Sequence, residues 1–242
     1  MKKTSRNIII TGSSRGIGRA IAVKLSGPGD RVLINYLRNQ DAAEETKRLV
    51  EEQGAEGILG QGNVRDEVDL KRLSKVFDTV DILVHNAAIG VMKDFDKIRT
   101  SQWDLTIESS LRPFWLLSKL VPLADGATIL GISSMGSTRY VEGYAAMGAS
   151  KAGMEALTRQ LSVELGPRRI RVNTICGGLI QTDTLQYLKN TEQMKDIASQ
   201  LTPLGRIGEP EDIANVAWLL TQPESYWING QVIITDGGMA AR

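Results

Sequence analysis

A tyrosine and a lysine in the second half of the chain are well suited by type and spacing to acid–base chemistry. Tyr144 precedes Lys151 by seven residues in a helix predicted over 143–165. Seven residues are nearly two helical turns, so both side chains lie on one helix face. A lysine ammonium lowers the pKa of a nearby phenol, which makes the phenol a better donor of a hydrogen bond or a proton to an oxygen where charge develops. A packed aromatic residue and a solvated lysine are the alternatives.

Two further hydroxyl groups come just before this pair in the chain. Ser134 follows a predicted strand over 127–132 and either orients a substrate or only caps the strand. Tyr140 lies four residues before Tyr144 and is either a second hydroxyl at the site or a loop residue. The predicted catalytic set is therefore Tyr144, Lys151, Ser134 and Tyr140.

A glycine-rich turn near the start of the chain predicts a dinucleotide site. Thr11-Gly12-Ser13-Ser14-Arg15-Gly16-Ile17-Gly18 directly follows a predicted strand and leads into a predicted helix. Glycines permit a tight turn and bring a diphosphate close to N–H groups at a helix N-terminus. A plain tight turn is the alternative, although the strand–turn–helix setting favours the nucleotide. The residues expected to contact the cofactor here are Gly12, Ser14, Arg15, Gly16, Ile17 and Gly18.

The end of the second predicted strand indicates which nucleotide is bound. An NAD site usually has an acid there for the ribose 2′-hydroxyl, whereas this chain has Asn35-Tyr36-Leu37-Arg38. Arg38 and Arg15 can clamp a 2′-phosphate, since guanidinium groups bind phosphate in a bidentate manner. The sequence therefore favours NADPH, with two solvated arginines as the alternative.

Strand and helix patterns alternate along almost the whole chain and predict an α/β fold. Short apolar runs alternate with longer helical stretches, which implies a parallel sheet with right-handed crossovers and helices on both faces. We expect a single doubly wound Rossmann domain over 1–242, with about seven strands and a substrate-covering segment around 178–208. The predicted strands are 7–11, 31–36, 57–60, 80–84, 127–132, 170–175 and 231–235, and the predicted helices are 19–26, 41–53, 66–77, 101–120, 143–165 and 210–221.

The composition excludes several other classes of protein. With 29 Lys and Arg against 28 Asp and Glu, the net charge of +1 gives no electrostatic signature for nucleic acid. No apolar run reaches the roughly 20 residues needed to span a bilayer, and the start of the chain lacks a signal-peptide core, so we expect a cytoplasmic protein. One Cys and one His leave no obvious metal site.

The motifs together resemble the short-chain dehydrogenase/reductase family over essentially the full length of 242 residues. Beside the glycine-rich turn, Asn63-Val64 is similar to the adenine-contacting pair of that family. Asn86-Ala87-Ala88 resembles its Asn-Ala-Gly element. Gly177-Gly178 followed by Thr182 resembles its Pro-Gly-x-x-x-Thr, whose threonine binds the nicotinamide carboxamide. The resemblance adds Asn63, Val64, Asn86, Ala87, Lys151, Gly177 and Thr182 to the predicted cofactor contacts.

The chain departs from the ordinary ketoreductases of that family at two catalytic positions. Those enzymes have a tyrosine four residues before the lysine, where this chain has Met147, and an asparagine where it has Ser110. The Tyr-x6-Lys spacing instead resembles the family's enoyl-[acyl-carrier-protein] reductases. The surrounding residues look most like the third, NADPH-using bacterial type.

The longer spacing suits reduction of a conjugated double bond. Three extra residues move the phenol by roughly 4–5 Å along the helix axis. In an enoyl thioester, hydride attacks the β carbon and charge develops on an oxygen three bonds away, instead of one bond away as in a ketone. We therefore expect reduction of a trans-2-enoyl thioester, with the substrate presented by acyl carrier protein or CoA. The resemblance to the family, which includes its C-terminal motif at Asp236-Gly237-Gly238, further implies a homotetramer. A carbonyl reductase and a nucleotide-binding protein without turnover are the rival functions.

Overall fold

The computed structural model describes residues 5–182 and 191–241. It contains seven strands: β1 Asn7–Thr11, β2 Arg31–Tyr36, β3 Glu56–Gln61, β4 Val80–His85, β5 Leu123–Ser134, β6 Arg171–Gly177 and β7 Val232–Thr235. The helices are α1 Gly16–Leu25, α2 Gln40–Glu51, α3 Glu67–Ser74, α4 Thr100–Ser110, α5 Arg112–Leu120, α6 Ala145–Glu164, α7 Thr191–Leu201 and α8 Pro210–Thr221.

The strands form one parallel sheet in the order β3-β2-β1-β4-β5-β6-β7. The prediction of a single doubly wound Rossmann domain with seven strands is confirmed. The strand order reverses between β1 and β4, and a crevice at such a reversal, outside the carboxyl ends of the strands, is where open α/β sheets bind ligands.

Alternating side chains of β1 show how the sheet separates two cores. Ile8 and Ile10 face one core, which includes residues of α1 and α8, and Ile9 faces the other, which includes residues of α5 and α6. All three isoleucines are at most 1% exposed. A strand buried on both faces must be a continuous apolar run, as the sequence of β1 is.

Two predicted boundaries are wrong in ways that have physical causes. The helix predicted over 101–120 is two helices that meet at Leu111, because Pro113 has no N–H to continue the helical hydrogen-bond pattern. The strand predicted over 127–132 is longer, since Leu123 already pairs with Val80 before an irregularity in the register. Part of the segment 178–208, residues 183–190, lies outside the described residues, and α7 lies within the rest.

The glycine-rich turn is held by direct backbone contact between the β1 end and the β4 end. Gly12 has a φ of +62°, and a Cβ on it would come within 2.9 Å of Ala87 Cα. At Gly18 a Cβ would lie 2.6 Å from Asn86 Nδ2 and would also overlap the Gly12 carbonyl oxygen. Only glycine allows α1 to approach the turn this closely.

Replacing Gly18→Ala is expected to lower the free energy of unfolding by about 1–3 kcal/mol, because the added methyl has to displace backbone. Urea denaturation measures this loss. Gly166→Ala is the matched control, since a Cβ there meets no atom within 4 Å, and its effect is expected to stay within about 0.5 kcal/mol. Equal losses in the two variants would contradict the steric account of the turn.

Candidate active site

A cavity of about 350 Å³ lies at the reversal of strand order, outside the carboxyl ends of β1, β2, β3 and β4. Its position is the one at which this sheet topology binds a nucleotide. The predicted contacts Gly12, Ser14, Arg15, Gly16, Ile17, Asn63, Val64, Asn86, Ala87 and Thr182 all line it. Asn35, Tyr36, Leu37, Gly62, Ala88 and Ile89 also line it and were not predicted as contacts.

The first turn of α1 faces this cavity with unused hydrogen-bond donors. Arg15 is the N-cap residue, its side chain makes no capping hydrogen bond, and the first turn has no acidic residue. The first N–H groups of a helix have no partner within the helix, and its dipole favours a negative charge at that end. This end of α1 therefore fits a diphosphate.

Asn86 and Asn35 line the cavity and hold the backbone around it through hydrogen bonds. The Asn86 amide donates to the carbonyls of Thr11 and Gly12, at 3.2 and 2.9 Å. Asn35 accepts from the Gly12 N–H at 3.0 Å and donates to the carbonyls of Gly60 and Gly62. Since its polar atoms are used within the protein, Asn35 maintains the shape of the cavity.

Two cationic side chains lie near the end of β2, where no acid occurs. Arg15 lines the cavity, whereas Arg38 follows the lining residues Tyr36 and Leu37 without being one of them. Both arginines are exposed, and neither forms an ion pair with an acid in the described part of the chain. Their guanidinium groups are available to an anionic ligand.

Tyr144 lies at the N-cap of α6 and is packed over the end of β5. Its ring covers Gly136 so closely that a Cβ on that glycine would come 2.5 Å from Tyr144 Cε1. Burial raises the pKa of the Tyr144 hydroxyl, and a hydrogen bond with Ser134 opposes the rise. The structure thus brings together two predicted catalytic residues, the phenol and the serine.

A second cavity, of about 450 Å³, opens beside Tyr144. It is lined in part by Tyr140, Phe95 and the backbone around Gly136. Tyr140 is 90% exposed, so it lies at the mouth of this cavity and not beside Tyr144 and Ser134, which are partly buried. The cavity gives Tyr144 access to a molecule from solvent.

Met147 occupies the helix position one turn before Lys151. Its side chain fills the space next to Gly90, where a Cβ would come 2.5 Å from Met147 Cγ. Met147 therefore packs against the loop that follows β4 and offers no acidic hydrogen. Tyr144 is the phenol that α6 brings to the end of β5.

Lys151 is buried in the interior, with 5% of its surface exposed. Its Nζ donates to the Ile132 carbonyl at 2.7 Å. Burial lowers the pKa of this ammonium to about 8, while Cys176 and Glu155 act in the opposite direction. Cys176 is a buried residue of β6, and burial raises the pKa of its thiol to about 11.

Of the predicted cofactor contacts, Gly18, Lys151 and Gly177, like Arg38, do not line the nucleotide cavity. Gly177 ends β6 and is covered by Ile213 and Ile180, so the structure places it in the core beside the site. The residues that the sequence did not single out include Glu155 and Ser133, which hydrogen-bond to each other below the site. Their only sequence signal is that Glu155 lies one helical turn after Lys151.

His85 connects the end of β1, where the glycine-rich turn begins, to the end of α4 through two hydrogen bonds. Thr11 Oγ1 accepts from the N–H groups of Asn86 and Ala87, at 3.1 and 3.0 Å, so its own hydrogen points to His85 Nδ1, 3.0 Å away. His85 Nε2 then donates to the Ser110 carbonyl at 2.8 Å. The imidazole is therefore neutral and both of its ring nitrogens are hydrogen-bonded, which gives His85 a structural role.

Comparison with known proteins defines the family. The family model described as enoyl-(acyl carrier protein) reductase matches residues 12–240. The chain belongs to the short-chain dehydrogenase/reductase family. Members of this family bind NAD or NADP and are oxidoreductases, and the cavity and the predicted catalytic residues described above fit that chemistry.

Two curated relatives of this short-chain reductase are similar over almost its whole length. A 1-cyclohexenylcarbonyl-CoA reductase of Streptomyces collinus is 36% identical over 96% of this chain and 86% of the relative. A 3-oxoacyl-[acyl-carrier-protein] reductase of a Synechocystis species is 34% identical over 98% of this chain and 97% of the relative.

Solved structures of reductases superpose closely on this chain. The angucycline C-6 ketoreductase LanV with bound NADP has a TM-score of 0.91 at 27% identity, covering 98% of this chain and 96% of that one. LugOII, a promiscuous reductase that catalyses keto-reduction at C1 in lugdunomycin biosynthesis, has a TM-score of 0.89 at 29% identity and covers 97% of both chains. Within the described residues, none of the helices is both long and apolar enough to cross a membrane.

The buried imidazole makes a prediction about stability in acid. Burial, followed by the charge of Lys151, lowers the pKa of His85 to about 3, whereas an unfolded histidine titrates near 6.5. Below pH 6.5 the His85 imidazole takes up a proton in the unfolded chain but not in the folded chain. The free energy of unfolding therefore falls as the pH falls. Between pH 7 and 5.5, the titration of His85 is expected to lower the free energy of unfolding by about 1 kcal/mol.

Over that pH interval, the free energy of unfolding of the His85→Asn variant is expected to fall by about 1 kcal/mol less than that of the native protein. His85 is the only histidine of the chain, so the variant has no imidazole to titrate. Urea denaturation of both proteins at the two pH values measures the difference. Equal losses would show that the imidazole is protonated in the folded protein.

Proposed function

We propose that this protein reduces the 2,3 double bond of a trans-2-enoyl thioester with NADPH. The observation that carries the proposal is the position of the phenol: Tyr144 at the start of α6 packs against Gly136, directly after β5, whereas Met147 fills the position one turn before Lys151. The phenol is therefore three residues further from Lys151, toward the N-terminal end of α6, than a donor four residues before the lysine would be.

Hydride reduction of a conjugated thioester requires a donor at a distant oxygen. Attack at the β carbon moves charge to the thioester oxygen, three bonds away, and stabilising that charge is what lowers the barrier. The three-residue displacement of the phenol amounts to roughly 4–5 Å along α6. This offset matches the greater distance between the attacked carbon and the oxygen.

The side chains then have distinct roles. Tyr144 donates a hydrogen bond to the thioester oxygen and stabilises the enolate, and the α carbon takes its proton from Tyr144 or from water. Ser134 orients the Tyr144 hydroxyl. The family resemblance assigns the Lys151 ammonium, which lies outside the nucleotide cavity described above, to the nicotinamide ribose hydroxyls, and a positive charge near a phenol makes that phenol a better proton donor. When bound, NADPH supplies the hydride, and the hydride chemistry belongs to the cofactor.

The relatives support this class of substrate and also supply the competing one. The name 1-cyclohexenylcarbonyl-CoA describes a ring double bond next to a thioester carbonyl, which is the arrangement that we propose here. The second relative is a 3-oxoacyl-[acyl-carrier-protein] reductase, so reduction of a 3-oxo group is the second candidate. The Tyr144–Ser134 pair could also donate to a ketone oxygen, and only the offset along α6 favours the enoyl substrate.

NADPH is favoured over NADH by charge. The end of β2 has no acid for a ribose 2′-hydroxyl, and the Arg15 side chain lines the cavity without an ion pair in the described part of the chain. Acyl carrier protein as the carrier, a homotetramer and a cytoplasmic location remain predictions from the sequence.

The substrate class is tested with a panel of trans-2-enoyl and 3-oxoacyl thioesters, by following NADPH absorbance. Oxidation with the enoyl compounds alone is the expected result. Oxidation with the 3-oxoacyl compounds alone would establish the second candidate. Binding of NADPH without oxidation by either class would favour a nucleotide-binding protein without turnover.

Replacing Tyr144→Phe is expected to lower kcat by about 100-fold or more, since the variant loses a general acid but keeps the ring packing. The dissociation constant of NADPH should change less than twofold, because Tyr144 does not line the nucleotide cavity. Tyr140→Phe is the matched control and should keep most of the activity, as that ring is exposed. Wild-type kcat in Tyr144→Phe would refute the donor assignment.

Replacing Arg15→Ala is expected to weaken NADPH binding by roughly 10- to 100-fold, the effect of losing a hydrogen bond to a charged phosphate. NADH binding should change little, since NADH has no 2′-phosphate. Arg159→Ala removes an equal charge from an exposed position on α6 and controls for the change in net charge. Equal weakening of both cofactors by Arg15→Ala would show that this arginine does not select NADPH.

A further inference from the structure

Two buried side chains of α6 hold the last residues of β5. Lys151 Nζ donates to the Ile132 carbonyl at 2.7 Å, and the Glu155 carboxyl accepts from Ser133 Oγ at 2.6 Å. Lys151 is 5% exposed and Glu155 is 6% exposed. Because Ile132 and Ser133 are consecutive, the two side chains fix the strand immediately before Ser134. We call Lys151, Glu155, Ile132 and Ser133 the β5 clamp.

The other titratable groups that face Lys151 are neutral near pH 8. His85 from β4 has a pKa lowered to about 3 by burial, and the thiol of Cys176 from β6 has a pKa raised to about 11 by burial. Burial also raises the pKa of Tyr144 at the start of α6. Glu155 therefore supplies the negative charge next to the ammonium, among the described residues that face it.

The Glu155 charge raises the pKa of Lys151 through the electrostatic field and not through an ion pair. No Lys151–Glu155 contact within 4 Å occurs in the described residues, because each side chain bonds to β5 instead. An opposite charge in a region of low dielectric still favours the ammonium, since screening by water is weak there. The helical spacing of four residues places both groups on the same face of α6.

We propose that Glu155 is a positioning residue, which keeps Lys151 in its ammonium form and holds β5 so that Ser134 meets Tyr144. This proposal rests on the proposed function only in assigning Lys151 to the ribose of the bound nucleotide. It does not depend on which acyl compound is reduced.

The charge of Glu155 can be separated from its hydrogen bond by Glu155→Gln. The amide oxygen of glutamine still accepts from Ser133, but the negative charge is lost. Burial already lowers the pKa of Lys151 to about 8, so loss of the opposing charge should lower it further, by roughly one unit. The ammonium exists below its pKa, and NADPH binding should weaken as the pH rises through that value.

The experiment measures the dissociation constant of NADPH by fluorescence from pH 6 to 9.5, without any acyl substrate. For the native protein, binding is expected to weaken with a midpoint near pH 8, the pKa of Lys151. The midpoint of Glu155→Gln is expected roughly one unit lower, so that at pH 8 it binds about fivefold more weakly. Glu164→Gln is the matched control, because Glu164 ends the same helix at an exposed position, and its midpoint should equal that of the native protein.

A second variant, Glu155→Asp, keeps the charge while shortening the side chain. Its midpoint should stay near the native one, and this variant decides the question if Glu155→Gln does not fold. A folded Glu155→Gln with the native midpoint overturns the proposal, and so does a Glu155→Asp whose midpoint falls by a full unit. Failure to reduce enoyl thioesters would refute the proposed function and leave these binding curves unaffected.

Discussion

The close approach of β1 and β4 at their carboxyl ends is the constraint on which the rest of the site depends. Gly12 lies against Ala87 with no room for a side chain, and the Thr11 hydroxyl accepts from the N–H groups that follow β4. The same hydroxyl donates to His85, which in turn reaches the end of α4. The nucleotide cavity, the β4 loop and the α4 end are thus fixed by a few buried contacts, and a charged group in the place of His85 would disrupt all three.

The chemistry of the site depends on which residue of α6 faces the end of β5. A helix can present a phenol from several positions along one face, and the position determines which substrate oxygen it meets. Here methionine fills the space beside Gly90, and the phenol lies nearly one turn earlier, over Gly136. The fold is shared with the ketoreductases that superpose on it, so under the proposed function specificity for the substrate comes from this local difference and not from the fold.

The fold and the cofactor end could be predicted from sequence because their signals are local. Three isoleucines in a row, glycines at fixed spacing and the lack of an acid after β2 each describe a backbone or charge requirement that is met within a few residues. The break at Leu111 was missed because a long helical pattern hides a single proline. The pairing of Glu155 with Ser133 joins residues 22 positions apart, and a buried carboxyl on a helix has no periodic signal. The exposure of Tyr140 depends on the course of a loop, which composition does not determine.

The bond between Lys151 and the Ile132 carbonyl has a consequence for the entropy of cofactor binding. A free lysine side chain loses up to about 2 kcal/mol of rotamer freedom when it is immobilised. In this protein that loss occurs during folding, when the ammonium is already anchored to a strand inside the core. Under the proposed function the nucleotide ribose therefore meets a rigid cation, and ordering this side chain takes little from the binding free energy.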